Sequence, residues 1–196
     1  MNNKKYIPYI IGAVIVVMGL YLITTYNGLV KKDEKVKVQW SEVQNAYQRR
    51  LDLIPNLVKT VKAYADFEKS TLQAVIEARA KATSINVSAD NLDEATLAKI
   101  NAQMSEVNSS LSRLLVTVER YPDLKANQGF LKLQDELAGT ENRIAVARDN
   151  FNEVVKVYNN AAQRFPAVIF ARLLGFKTKP YFESDKGAEK APKVEF

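Results

Sequence analysis

The chain has 196 residues, no cysteine, no histidine and a formal net charge of +6. These absences exclude disulfides, thiol nucleophiles, histidine bases, and zinc sites built from histidine or cysteine; 7 glycines and 6 prolines are too few for a turn-rich β fold. Lys4 and Lys5 precede every acidic residue, so the remainder carries 26 bases against 22 acids, or +4, interspersed without the basic block of a nucleic-acid groove.

Residues 1–5 form a short polar flank. From Tyr6 to Tyr26 the chain reads YIPYIIGAVIVVMGLYLITTY, 21 residues without a charge. As a helix this segment is ~30 Å long, the thickness of a bilayer core. Tyrosines at 6, 9, 21 and 26 lie toward its ends, as interfacial aromatics do. No small-x-small cleavage pattern follows, and no cysteine is present for lipidation, so residues 6–26 read as an uncleaved single-pass anchor in the lipid bilayer. Orientation stays open. Lys31, Lys32, Lys35 and Lys37 outnumber Lys4 and Lys5, yet the very short first flank suits an anchor that exports the rest.

Beyond the anchor, Val36, Trp40, Val43, Tyr47, Leu51, Ile54, Val58, Val61 and Ala65 recur in steps of three and four, the seam of a packed helix. Asn27-Gly28 is the only weak point, so this helix can run unbroken from the membrane. Pro55 interrupts the stretch without shifting its phase. Either the helix bends and continues, or it stops and restarts with Pro55 at its first position. The seam extends through Leu72, Val75 and Ile76 to about Ala82. Residues 83–91 are small and polar and read as a loop, with Asp90 or Asn91 capping the next helix.

The third segment places Leu97, Ile100, Met104, Val107, Leu111, Leu114, Val118 and Tyr121 on one stripe and stops at Pro122. A fourth runs Phe130, Leu133, Leu137, Thr140, Ile144, Ala147, Phe151, Val154, Tyr158, Ala161 and Phe165. Residues 167–176, AVIFARLLGF, form either a short helix closing one end or a surface for membrane or partner. Residues 177–196 are charged, contain Pro180 and Pro192, and read as a disordered tail. The expected fold is all-α: about four long helices in an elongated antiparallel bundle, residues 27–176, on one N-terminal transmembrane helix.

Without histidine or cysteine no triad is available. A pair of carboxylates among Glu119, Asp123, Asp135, Glu136 and Glu141 is the remaining hydrolytic option, and surface salt bridging is the plainer reading of them. Polar residues beside the seams are more informative. Arg49, Arg50 and Asp52 flank Pro55. Glu141 and Arg148 are seven apart on one face, as are Asn152 and Asn159. The expected arrangement is a half-buried polar layer in which Arg49 or Arg50 meets Glu119 or Glu141.

Several stretches together are similar to the LemA family of bacterial membrane proteins: Tyr26-Asn-Gly-Leu-Val30, Trp40-Ser-Glu-Val43, Arg49-Arg-Leu-Asp-Leu-Ile-Pro-Asn-Leu-Val58, Val61-Lys-Ala-Tyr64, Glu119-Arg-Tyr-Pro-Asp-Leu-Lys-Ala-Asn127, Leu133-Gln-Asp-Glu-Leu137, Glu141-Asn-Arg-Ile-Ala145 with Arg148, Phe151-Asn152 and Tyr158-Asn159. Phe151 departs from the usual tyrosine. The resemblance implies an anchored helical bundle, no cofactor or metal, and no assigned catalytic residue. Some relatives resemble lipoproteins, which implies an extracytoplasmic domain, and some are encoded beside membrane metalloproteases, which implies a role in envelope quality control with other envelope proteins, a membrane protease among them, as partners. The candidate polar layer or partner surface comprises Arg49, Arg50, Asp52, Asn56, Glu119, Asp123, Lys125, Asn127, Glu141, Asn142, Arg148 and Asn152. The expected function is a membrane-anchored, non-enzymatic scaffold of the cell envelope. A ligand-sensing bundle and a carboxylate hydrolase are the alternatives, and self-association stays open.

Overall fold

A computed structural model describes residues 6–64, 67–84 and 87–183. The chain is all-α. Helix α1 spans Ile7–Lys62 without interruption, 56 residues, or ~84 Å. Residues 7–18 are exposed all round, and the first fully buried side chain of α1 is Leu29. Pro55 lies inside α1, so the helix continues through it. Proline has no N–H for the carbonyl four residues earlier. That carbonyl belongs to Leu51, and Arg79 Nε donates to it at 3.0 Å. A side chain from the next helix thus replaces the missing main-chain bond.

The first long helix does not reach Ala82 as its seam suggests. It ends at Lys62, and α2 starts afresh over Lys69–Thr83, antiparallel to α1. Phe67 at the corner is buried and packs on Tyr121, ring centroids 5.0 Å apart. Glu68 is extended, with ψ 110, and opens α2. Both helices use the three–four step, so the apolar period alone does not betray the reversal.

The loop after α2 rests on Trp40, whose Nε1 donates to the Val87 carbonyl at 2.8 Å. A single 3-10 turn, Ala89–Asn91, follows. The cap of α3 (Glu94–Val118) is Asp93, which accepts from Thr96 N at 2.7 Å, rather than Asp90 or Asn91. The short α4 (Pro122–Lys125) turns the far corner. Asn127 then caps α5, Gln128–Gln163, 36 residues, by accepting from Phe130 N. Helix α5 returns along α1, completing an up-down-up-down bundle.

The core follows most of the stripes read from the sequence, except that Ile76 is exposed and Val155 is buried in place of Val154; Ala65 lies outside the described residues. Val36, Trp40, Val43, Tyr47, Leu51, Ile54, Val58 and Val61 are buried, as are the seven α3 positions from Leu97 to Val118. On α5, Phe130, Leu137, Thr140, Ile144, Ala147, Phe151 and Tyr158 are buried, whereas Phe165, beyond the helix end, is 78% exposed. The lone polar residue of that stripe, Thr140, satisfies its hydroxyl on the Leu137 carbonyl at 2.7 Å.

The chain then forms α6, Ala167–Leu173, beside α1. Gly175, with φ +82, takes the left-handed conformation that ends α6. Phe176 N bonds the Ala171 carbonyl at 2.9 Å and Gly175 N the Arg172 carbonyl at 3.3 Å, closing a Schellman cap. The reversal sends residues 177–183 back along the bundle as an extended strap. The expectation of a disordered tail from residue 177 therefore fails for residues 177–183, because side chains of α5 bond their backbone; residues 184–196 lie outside the described residues.

Candidate functional site

Two polar layers join α1 to α5. Arg50 is buried and forms an ion pair with Glu141, whose side chain is half exposed. One helical turn nearer the anchor, Arg148 Nε donates to the Tyr47 hydroxyl at 2.9 Å. The Arg148 guanidinium also lies 5.5 Å from the Tyr47 ring centroid and 5.2 Å from that of Phe182, within cation–π range. Burial pushes the Tyr47 phenol up, against the opposing charge of Arg148.

Below these layers the strap is clamped by asparagines. Asn159 donates Nδ2–H to the Lys179 carbonyl and accepts from Lys179 N, both at 2.9 Å. Asn152 treats Phe182 in the same way, at 3.0 and 2.8 Å. Each carboxamide acts as a strand edge, offering one donor and one acceptor to the same residue. The spacing is geometric: seven helical residues rise ~10.5 Å, and three extended residues cover ~10 Å. At the Asn152 clamp, buried Phe182 packs on Trp40 and Phe151, with ring centroids 6.3 and 5.4 Å away. Tyr158 donates its hydroxyl to the Lys177 carbonyl at 2.9 Å, and its phenol is pushed up to about 12, chiefly by burial and then by the Asp33 charge. Lys179 Nζ lies 3.2 Å from both Asp33 Oδ1 and the Ala89 carbonyl. Lys37 bridges Asp33 and Asp90 at 3.3 and 2.9 Å. The bond to Asp90 raises the Lys37 pKa and lowers that of Asp90.

A third group holds the far corner. Asn127 caps α5 with Oδ1 and donates Nδ2–H to the Tyr64 hydroxyl at 3.2 Å, which reaches the Asp123 carbonyl at 3.4 Å. Glu119 pairs with Lys125, not with an arginine of α1. The partner of Arg50 is therefore Glu141 alone.

The remaining candidates face outward. Arg49, Asp52, Asn56 and Asn142 are exposed and line one open trough between α1 and α5, with Glu42 and Arg143. Asp52 accepts from Gln48 at 2.7 Å; Arg49 makes no ion pair with the described residues. Among the described residues, acidic side chains form no group of three able to hold a metal.

Sequence reasoning overlooked Arg79, Lys179 and Phe182 as site residues. Pro55 signals that the Leu51 carbonyl needs a donor, but nothing local names it. Asn152 and Asn159, seven apart, are the one legible sign that something extended lies on α5.

The description "LemA family" matches residues 39–196, most of the chain and all of the bundle beyond the first turns above the anchor. The chain belongs to the LemA family. Relatives include Protein LemA of Metamycoplasma hominis, 23% identical over 82% of this chain and 69% of that one. Magnetosome protein MamQ 2 of Paramagnetospirillum magneticum is 26% identical over 83% of this chain and 66% of its own length. Magnetosome protein MamQ of Magnetospirillum gryphiswaldense is 28% identical over 82% and 65%. This LemA-family chain thus spans about two-thirds of these relatives' length. Within the family match fall the buried Arg50–Glu141 pair, the asparagine clamps and the outward trough.

Proposed function

We propose that this LemA-family chain is a membrane-anchored docking scaffold of the bacterial envelope, without enzymatic activity, whose bundle stands on the extracytoplasmic side. The observation that carries it is the sorting of the polar signature. Arg50, Asn127, Glu141, Arg148 and Asn152 are consumed by internal bonds, whereas Arg49, Asp52, Asn56 and Asn142 share one open, mixed-charge trough. Side chains of opposite sign presented on rigid helices suit recognition of another protein.

A photocrosslinking residue at Asn56 or Asn142 tests the reading in native membranes. The expected result is a discrete adduct that is absent when the probe sits at exposed Val116 and that weakens in Arg49→Glu. Indiscriminate adducts from all three positions, unaffected by Arg49→Glu, would sink the idea.

A further inference from the structure

Helix α6 overlaps the apolar segment of α1. Within residues 7–26, almost every position is exposed; Gly19, Leu22 and Thr25, spaced by three, are partly covered. They mark the face on which α6 lies. Phe170 of α6 packs on Tyr21, ring centroids 6.1 Å apart, and Phe176 on Tyr26 at 5.7 Å. Leu29, Ala162 and Ala171 form a separate small core just above. Because α1 is one continuous helix, these contacts fix the height of α6 along it.

The height has a consequence for the bilayer. A span needs ~20 apolar residues. Residues 7–18, the part of the apolar run clear of α6, are 12 residues, or ~18 Å, far short of a ~30 Å core. The membrane must therefore include residues 19–26, and with them the level of α6. From Gly19 to Tyr26 the helix rises ~10 Å, the depth at which interfacial helices seat their apolar side.

The surface of α6 agrees. Ile169 and Leu173 of α6 are 57% and 81% exposed, and Phe165, in the link just before the helix, is 78% exposed. Exposed Arg164, Arg172 and Lys177 flank them, placed to meet lipid phosphates while their stems lie on apolar surface. We propose that α6 is a second membrane contact, an interfacial helix that, with Phe165 just before it, buries Ile169 and Leu173 at the acyl–headgroup boundary and collars the anchor. The proposal rests on reading residues 6–26 as a bilayer span.

The chain lacks cysteine, so single cysteines can be labelled cleanly. Val14→Cys, Leu173→Cys and Val116→Cys, each carrying an environment-sensitive fluorophore, would be reconstituted as full chains in vesicles of phosphatidylcholine and phosphatidylglycerol. Spin-labelled lipids then quench at shallow or deep positions. The expected result is several-fold quenching of the Leu173 label by the shallow probe, of the Val14 label by the deep probe, and of the Val116 label by neither. Quenching at Val14 with none at Leu173 overturns the proposal and keeps the span. A blue-shifted but unquenched Leu173 label means protein, such as a second copy, covers α6, and overturns it too. Absence of quenching at Val14 and Leu173 alike removes the span and the proposal together.

Discussion

Arg79 supplies the hydrogen bond that Pro55 denies to α1. Its Nε–H meets the Leu51 carbonyl at 3.0 Å, across from the next helix. The pair explains how a 56-residue helix carries a proline near its end without breaking. Arg79→Met should destabilise the bundle by about 1–2 kcal/mol, the cost of a part-buried carbonyl left without a donor. In a Pro55→Ala background the new backbone N–H restores the helical bond, and the same change should cost less than half as much. Trp40, the single tryptophan and buried, reports unfolding in denaturant. Equal costs in both backgrounds would show that Arg79 serves Leu51 only incidentally.

Arg50 and Glu141 should respond asymmetrically. Glu141→Gln leaves a buried guanidinium without its anion, whereas Arg50→Met removes the charge and keeps the stem's apolar contacts. Glu141 is half exposed, which moderates the loss, so a destabilisation of about 1–2 kcal/mol is expected for Glu141→Gln and a smaller one for Arg50→Met. The reverse order in equilibrium unfolding would mean that the ion pair itself, rather than relief of a stranded charge, supplies the stability.

The main stripes are legible because three–four stepping is the direct imprint of a packed helix, and Val36 to Val61 and Leu97 to Val118 are buried as that stepping requires. The α1–α2 corner was not, since Phe67 turns the chain between two helices of the same phase. The Arg50–Glu141 pair is half legible: burial of a charge calls for a partner, but the sequence does not distinguish Glu119 from Glu141, and the structure pairs Glu119 with Lys125. The strap was hidden because Lys177, Lys179 and Pro180 look like tail composition. Their order comes from Asn152 and Asn159, which lie about twenty or thirty residues earlier.

The strap should release as a unit. Each asparagine clamp holds two bonds worth about 0.5–1.5 kcal/mol apiece, and Phe182 fills a site between Trp40 and Phe151. Phe182→Ala should leave an apolar gap and expose the Lys177–Thr178 bond to trypsin, with Trp40 emission shifting as its neighbour leaves. Asn152→Asp keeps the acceptor for Phe182 N but places a carboxylate against the Phe182 carbonyl, so it should accelerate cleavage more than Asn152→Ser. Unchanged cleavage rates in Phe182→Ala would show that the strap does not depend on its aromatic anchor.

Alkaline pH should loosen the same region. The Tyr158 phenol is held at about 12 by burial and by the Asp33 charge, above the ordinary value of 10.0. Its neutral form donates to the Lys177 carbonyl. Below pH 10 the hydroxyl is protonated in both folded and unfolded chains, and its contribution is fully present. Between pH 10 and about 12 the unfolded chain has lost the proton and the folded one still holds it, so the unfolded state binds fewer protons and stability falls with rising pH. The contribution is gone once pH passes the folded value. Tyr47, also raised by burial, adds a loss of the same sign. Lysines titrate in this range as well, so the measurement is a difference: unfolding of the parent and of Tyr158→Phe across pH 9 to 12. Tyr158→Phe should be the less stable at pH 9, having lost one hydrogen bond, and its stability should fall less steeply above pH 10. Parallel curves for the two chains would show that the Tyr158 proton is not linked to folding.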